Sequence, residues 1–87
     1  MMTQKPASDI SLDLTGLKCP LPVLKARRAI KDMPAGGIIE VLADDPAAEL
    51  DFAHFCETGN HELIEKEKSS LPDSGVLLRF LIRVGTN

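Results

Sequence analysis

The stretch Ile10-Ser11-Leu12-Asp13-Leu14-Thr15-Gly16-Leu17-Lys18-Cys19-Pro20-Leu21-Pro22-Val23 opens the ordered part of the chain, and its hydrophobic period changes once along its length. Ile10, Leu12 and Leu14 alternate with Ser11, Asp13 and Thr15, the period-two pattern of a half-buried strand. From Val23 onward, Val23, Ala26, Ile30 and Met33 recur at helical spacing, with Lys25, Arg28 and Asp32 on another face. An amphipathic helix is therefore expected to run to Met33, before Pro34. Gly16 permits a turn between the two elements that a bulkier residue would resist. Cys19 lies inside that turn.

Working outward, Ala35-Gly36-Gly37 makes a second turn, and Ile38 to Ala43 is apolar and β-branched enough for a well-buried strand. Asp45 is placed to cap a second helix whose first position is Pro46, where a missing N–H costs nothing. Leu50, Ala53 and Cys56 or Glu57 carry that helix to Gly59. Two strands follow, at about His61 to Lys68 and at Val76 to Val84, the second with Val76, Leu78, Phe80, Ile82 and Val84 on one face. Ser69 to Gly75, with Pro72 and Asp73, reads as the hairpin loop between them. The order βαβαββ implies a two-layer α/β sandwich. Because crossovers between parallel strands are right-handed, a mixed four-stranded sheet should carry both helices on one face. The other face is expected to be only partly covered, with Arg79 and Arg83 on it.

A chain of 87 residues holds one modest core, which suits a small module acting with partners. Residues 1–9 read as a flexible N-terminal tail, 10–84 as the folded domain and 85–87 as a C-terminal tail. No apolar run is long enough to span a bilayer, and the N-terminus lacks the apolar region of a secretory signal, so the cytoplasm is the expected location, without a membrane partner. The net charge of -3 conceals a division. Lys18, Lys25, Arg27, Arg28 and Lys31 form a run without an acid, whereas Asp44 to Asp73 holds nine acids against Lys66 and Lys68. The basic run is either a solvated face or a surface for an anionic partner.

Cys19 sits at the mouth of the first helix, where unpaired N–H groups and the positive end of the helix dipole favour a thiolate. Pro20 and Pro22 stiffen the turn, and neither supplies an N–H, so the nearest donors are those of Leu21, Val23 and Leu24. A buried, gap-filling cysteine is the alternative. Lys18 and Pro20 favour a surface turn and a reactive thiol. Cys56, beside Phe55, reads as core packing or as a resolving thiol. His54 and Cys56 diverge on a helix, and His61 lacks a His/Cys cluster, so no metal site is expected. Asp44 and Asp45 read as a cap and not as an acid/base pair. No nucleotide motif or Ser/His/Asp constellation is present.

The runs Asp13-Leu14-Thr15-Gly16-Leu17-Lys18-Cys19-Pro20-Leu21-Pro22-Val23 and Val41-Leu42-Ala43-Asp44-Asp45-Pro46, then Phe55-Cys56 and Leu81-Ile82-Arg83, together resemble the TusA/SirA family of small sulfur carriers. The resemblance covers Ile10 to Val84. It implies the βαβαββ fold, shared with the C-terminal domain of bacterial translation initiation factor three. It also implies a sulfurtransferase-type carrier with no cofactor beyond a transient persulfide on Cys19. The donor would be a cysteine desulfurase or a rhodanese, and the acceptor a downstream protein; in the best-known branch the sulfur ends in 2-thiouridine of transfer RNA. Carried over by position, Cys19 accepts the sulfur, Gly16, Pro20 and Pro22 shape its turn, and Asp45 caps the second helix. Leu21 stands where some members have an acid.

Lys18, Arg27 and Arg28 are the candidates for docking a partner. Two other functions fit the residues: a redox sensor forming a Cys19–Cys56 disulfide, and a regulatory or nucleic-acid-binding module. Net acidity and the small aromatic content, Phe52, Phe55 and Phe80, oppose direct contact with nucleic acid.

Overall fold

The change of period at Gly16 becomes a strand, a turn and a helix in the computed structural model, which describes residues 8–73 and 75–85. In chain order the elements are β1 (Ile10–Asp13), α1 (Leu21–Lys31), β2 (Ile38–Ala43), α2 (Ala48–Thr58), β3 (Glu62–Ser70) and β4 (Val76–Arg83). The sheet runs β1-β2-β4-β3, with β1 parallel to β2 and the other pairs antiparallel. This is the expected mixed four-stranded sheet with two helices.

Burial explains the layering. Ala26 and Ile30 of α1 and Ala48, Phe52, Phe55 and Cys56 of α2 close over Ile39, Val41 and Ala43 of β2 and Leu78, Phe80 and Ile82 of β4. Phe52 stacks on Phe80 with ring centroids 4.7 Å apart and meets Phe55 edge-on at 6.3 Å. Each such aromatic pair is worth about 0.5–1.5 kcal/mol beyond its buried area.

Several boundaries differ from the sequence reading. Helix α1 starts at Leu21, two positions before Val23, because Pro22 in the first turn gives up an N–H that has no helical partner. It ends at Lys31, where Asp32 and Met33 donate to Ala29 and Ile30 in a tightened last turn. In α2, Leu50 is 76% exposed and Ala53 also faces solvent; the core stripe is set by Ala48, Phe52, Phe55 and Cys56. Strand β3 continues through Ser69 and Ser70, which shortens the expected loop, and Leu71 N–H donates to the Gly75 carbonyl at 2.9 Å.

Asp9, assigned from sequence to the tail, is tied to β2: its N–H donates to the Ile38 carbonyl, and its carboxylate accepts the Ile38 N–H. The rest of the expected N-terminal tail up to residue 7, and residues 86–87 of the C-terminal one, lie outside the described residues.

The face without helices is more organised than expected. Arg79 is only partly exposed, donating to Glu40 at 2.6 Å and to Glu65 at 3.0 Å, while Arg83 meets Glu62 at 2.9 Å. Leu81, flanked across the ladder by Glu40 and Glu65, is buried on this face. Among the described residues, no helix is long and apolar enough to cross a membrane.

Candidate functional site

Strands β1 and β2 are parallel, so the loops that leave their C-terminal ends emerge side by side. One loop carries Gly16 to Pro20 and the other Asp44 to Ala47. Gly16 adopts φ +88, a left-handed conformation that disfavours any side chain, and its N–H donates to Asp44 Oδ1 at 2.9 Å. Asp45 then spans the loops: Oδ2 accepts the Cys19 N–H at 2.7 Å and Oδ1 accepts the Ala47 N–H at 3.1 Å. These two bonds hold the Asp45 carboxyl below its ordinary pKa.

Asp45 is therefore not the cap of α2 in the expected sense. The N-cap is Ala47, without a side-chain bond, and Asp45 organises the turn before it while fixing the backbone of Cys19. Asp44 and Asp45 together pin both ends of the cysteine turn to the neighbouring loop.

Cys19 is exposed and is a free thiol, as the surface-turn reading expected. The Cys19–Pro20 peptide bond is cis. The surroundings of the sulfur overturn one expectation. Its Sγ donates to Asp51 Oδ2, in the first turn of α2, at 2.7 Å. That hydrogen bond is the largest cause of a thiol pKa raised above the ordinary value, with desolvation and the charges of Asp51 and Asp45 adding to it. The expected thiolate is thus disfavoured in this arrangement. Two of the three expected N–H donors are engaged elsewhere: Leu21 N–H bonds the Lys18 carbonyl at 2.8 Å and Leu24 N–H bonds the Pro20 carbonyl at 3.1 Å.

The basic candidates separate. Lys18 is exposed beside the site, and its charge helps hold Asp45 ionised. Arg27 lines a groove of about 190 Å³ between the helices, shared with Pro20, Asp51 and His54. Arg28 faces elsewhere, in a surface hollow with Leu21, Leu24 and Lys25. Leu21 and Leu24 are 44% and 47% exposed, an apolar step immediately after Cys19. Cys56 is buried, and burial pushes its thiol up to about 11.

Asp51 was missed from sequence, and so was the link from Asp45 to Cys19. A usable signal was present in the parallel pairing, which places the residues after β2 beside those after β1.

Compared with known protein families, residues 10–84 match the family described as Sulfurtransferase TusA. Among solved structures, the fold is similar to that of the SirA-like protein from Desulfitobacterium hafniense. The TM-score is 0.62 at 23% identity, covering 88% of this chain and 99% of that one. With a family match that spans all six elements of the fold, the chain belongs to the TusA sulfurtransferase family.

Proposed function

We propose that this chain is a sulfur carrier in which Cys19 accepts a sulfane sulfur as a persulfide and delivers it to a second protein. The observation that carries the reading is an exposed thiol on a turn fixed at Gly16 and Cys19 by Asp44 and Asp45, within a member of this family. A fixed backbone presents the sulfur in one place, while exposure leaves it open to a partner's persulfide.

Loading is a thiol exchange: the Cys19 sulfur attacks the outer sulfur of a donor persulfide and the donor cysteine leaves. The first turn of α1 contains no acid, so the helix end opposes an anionic persulfide less than an acidic turn would. A protein of this size cannot enclose the intermediate, so protection from water and oxidants falls to the partner's pocket.

The donor is a cysteine desulfurase or a rhodanese-type protein, the downstream acceptor is another protein, and a reducing compartment such as the cytoplasm suits the chemistry. Lys18, Arg27 and Arg28 serve partner docking, with Leu21 and Leu24 as the apolar part of the surface. Gly16, Pro20 and Pro22 shape the turn. Transfer RNA thiolation is the first destination to examine.

The test is incubation with a cysteine desulfurase and cysteine, or with a rhodanese and its sulfane-sulfur substrate, followed by intact mass. Gain of one sulfur atom, removable by a thiol reductant, is expected. No gain from either class of donor would refute the carrier function.

A further inference from the structure

The mechanism of a carrier uses Cys19 but leaves open why its sulfur points at a carboxylate. A carboxylate 2.7 Å from a nucleophilic sulfur opposes the thiolate that exchange requires. That is a poor arrangement for a thiol meant to react with any sulfur or oxidant it meets. It suits a thiol meant to stay quiet until the right partner docks.

We propose that Asp51 latches Cys19 as a hydrogen-bonded thiol, and that a sulfur-donating protein opens the latch by bringing a cationic group to Asp51. The proposal rests on the sulfur-carrier reading above. Asp51 is reachable for this: it lines the groove between α1 and α2 with Pro20, which directly follows the reacting residue, and with Arg27 and His54.

The charged and titratable groups around the sulfur are Asp51 and His54 from α2, Asp45 from the loop before it, Lys18 from the cysteine turn and Arg27 from α1. Of these, Asp45 already spends its carboxylate on the amides of Cys19 and Ala47. Asp51 is the one that touches Sγ. When a partner's cation pairs with Asp51, the sulfur loses its acceptor and the nearest negative charge is screened, and both changes favour the thiolate.

The exchange then balances without an outside oxidant. A bond forms between Cys19 Sγ and the donor's outer sulfur, the donor's S–S bond breaks, and the proton released from Cys19 ends on the donor's departing thiolate. One thiol and one persulfide become one persulfide and one thiol.

The test compares the full chain with Asp51→Asn and Asp51→Glu, first by the pH dependence of Cys19 alkylation with iodoacetamide. Asp51→Asn should move the alkylation curve to lower pH and raise the neutral-pH rate by about tenfold for each pH unit moved, while Asp51→Glu, which keeps the carboxylate, stays close to the parent. Loading from free cysteine persulfide should likewise be faster in Asp51→Asn. Loading from a desulfurase should gain far less, because the partner already opens the latch in the parent.

An alkylation curve unchanged or moved to higher pH in Asp51→Asn would overturn the latch. An equal gain with the desulfurase and with free persulfide would overturn its release by the partner. Absence of loading in the parent would instead remove the carrier function, and the alkylation result would still decide whether Asp51 holds the thiol.

Discussion

Two regions of this small protein each hold a cysteine, and both sulfurs are kept as thiols by opposite means. Cys56 lies in the core next to Phe55 in α2, where burial raises its pKa to about 11. Cys19 stands in solvent, where the Asp51 hydrogen bond raises its pKa. Burial can be undone only by opening the fold, whereas a contact with one surface carboxylate can be undone by a neighbour's charge. The difference separates a thiol closed off by packing from one held by a single surface contact, even though both shifts have the same sign.

The largest contrast expected is in labelling. In the native protein at neutral pH, iodoacetamide should modify Cys19 and leave Cys56 untouched, while denaturant should make both react; peptide mapping reads the two sites separately. Equal labelling of both in the native state would abolish the distinction.

Loss of packing should expose Cys56, which the fold alone closes off. Phe52→Ala removes a fully buried ring stacked on Phe80 and should cost about 3–5 kcal/mol. That is a large share of a small domain's stability. Chemical denaturation measures the loss, and Cys56 should label faster in proportion to the unfolded fraction.

The converse change acts at the other region. Gly16→Ala places a side chain at φ +88, where the added Cβ meets no neighbouring atom but the backbone conformation itself costs roughly 1–2 kcal/mol. Sulfur acceptance at Cys19 should fall, while Cys56 protection changes only as far as global stability does. A Gly16→Ala protein of full stability and full acceptance would show that the turn geometry is unimportant.

The smallest effect concerns pH. The His61 backbone N–H donates to the Cys56 carbonyl at 2.9 Å, the ring Nδ1 accepts the Gly85 N–H at 3.0 Å, and burial holds the imidazole pKa below its ordinary value. A base whose pKa is lower folded than unfolded favours the fold when neutral. That contribution is complete above about pH 6.5 and is lost as the pH falls through the folded value. Thermal unfolding should therefore show a Tm that declines on acidification across this window, and His61→Gln should flatten part of the decline.

These regions also differ in how far they could be read in advance. The alternation of Ile10, Leu12 and Leu14, the helical spacing of Ala26 and Ile30 and the apolar run of β2 are local patterns, and the elements formed where the patterns lie. Cys19 was visible for the same reason, since Gly16, Pro20 and Pro22 mark its turn in the sequence. Asp51 was not, because it meets the sulfur across 32 positions and nothing adjacent to it in sequence marks the contact. The core face of α2 was misread because Leu50 and Ala53 are apolar but point outward, and Phe52 and Phe55 win the interior by their larger buried area. The ends of α1 moved because prolines at a helix start and hydrogen bonds at its close are settled by backbone geometry, which hydrophobic spacing does not report.

The most direct measurement is to load the protein from a cysteine desulfurase and map the added sulfur by peptide mass spectrometry, in parallel with Cys19→Ser. The account predicts one sulfur atom on the Cys19 peptide, none on the Cys56 peptide, and none anywhere in Cys19→Ser. Sulfur on Cys56, or undiminished loading of a folded Cys19→Ser protein, would contradict it.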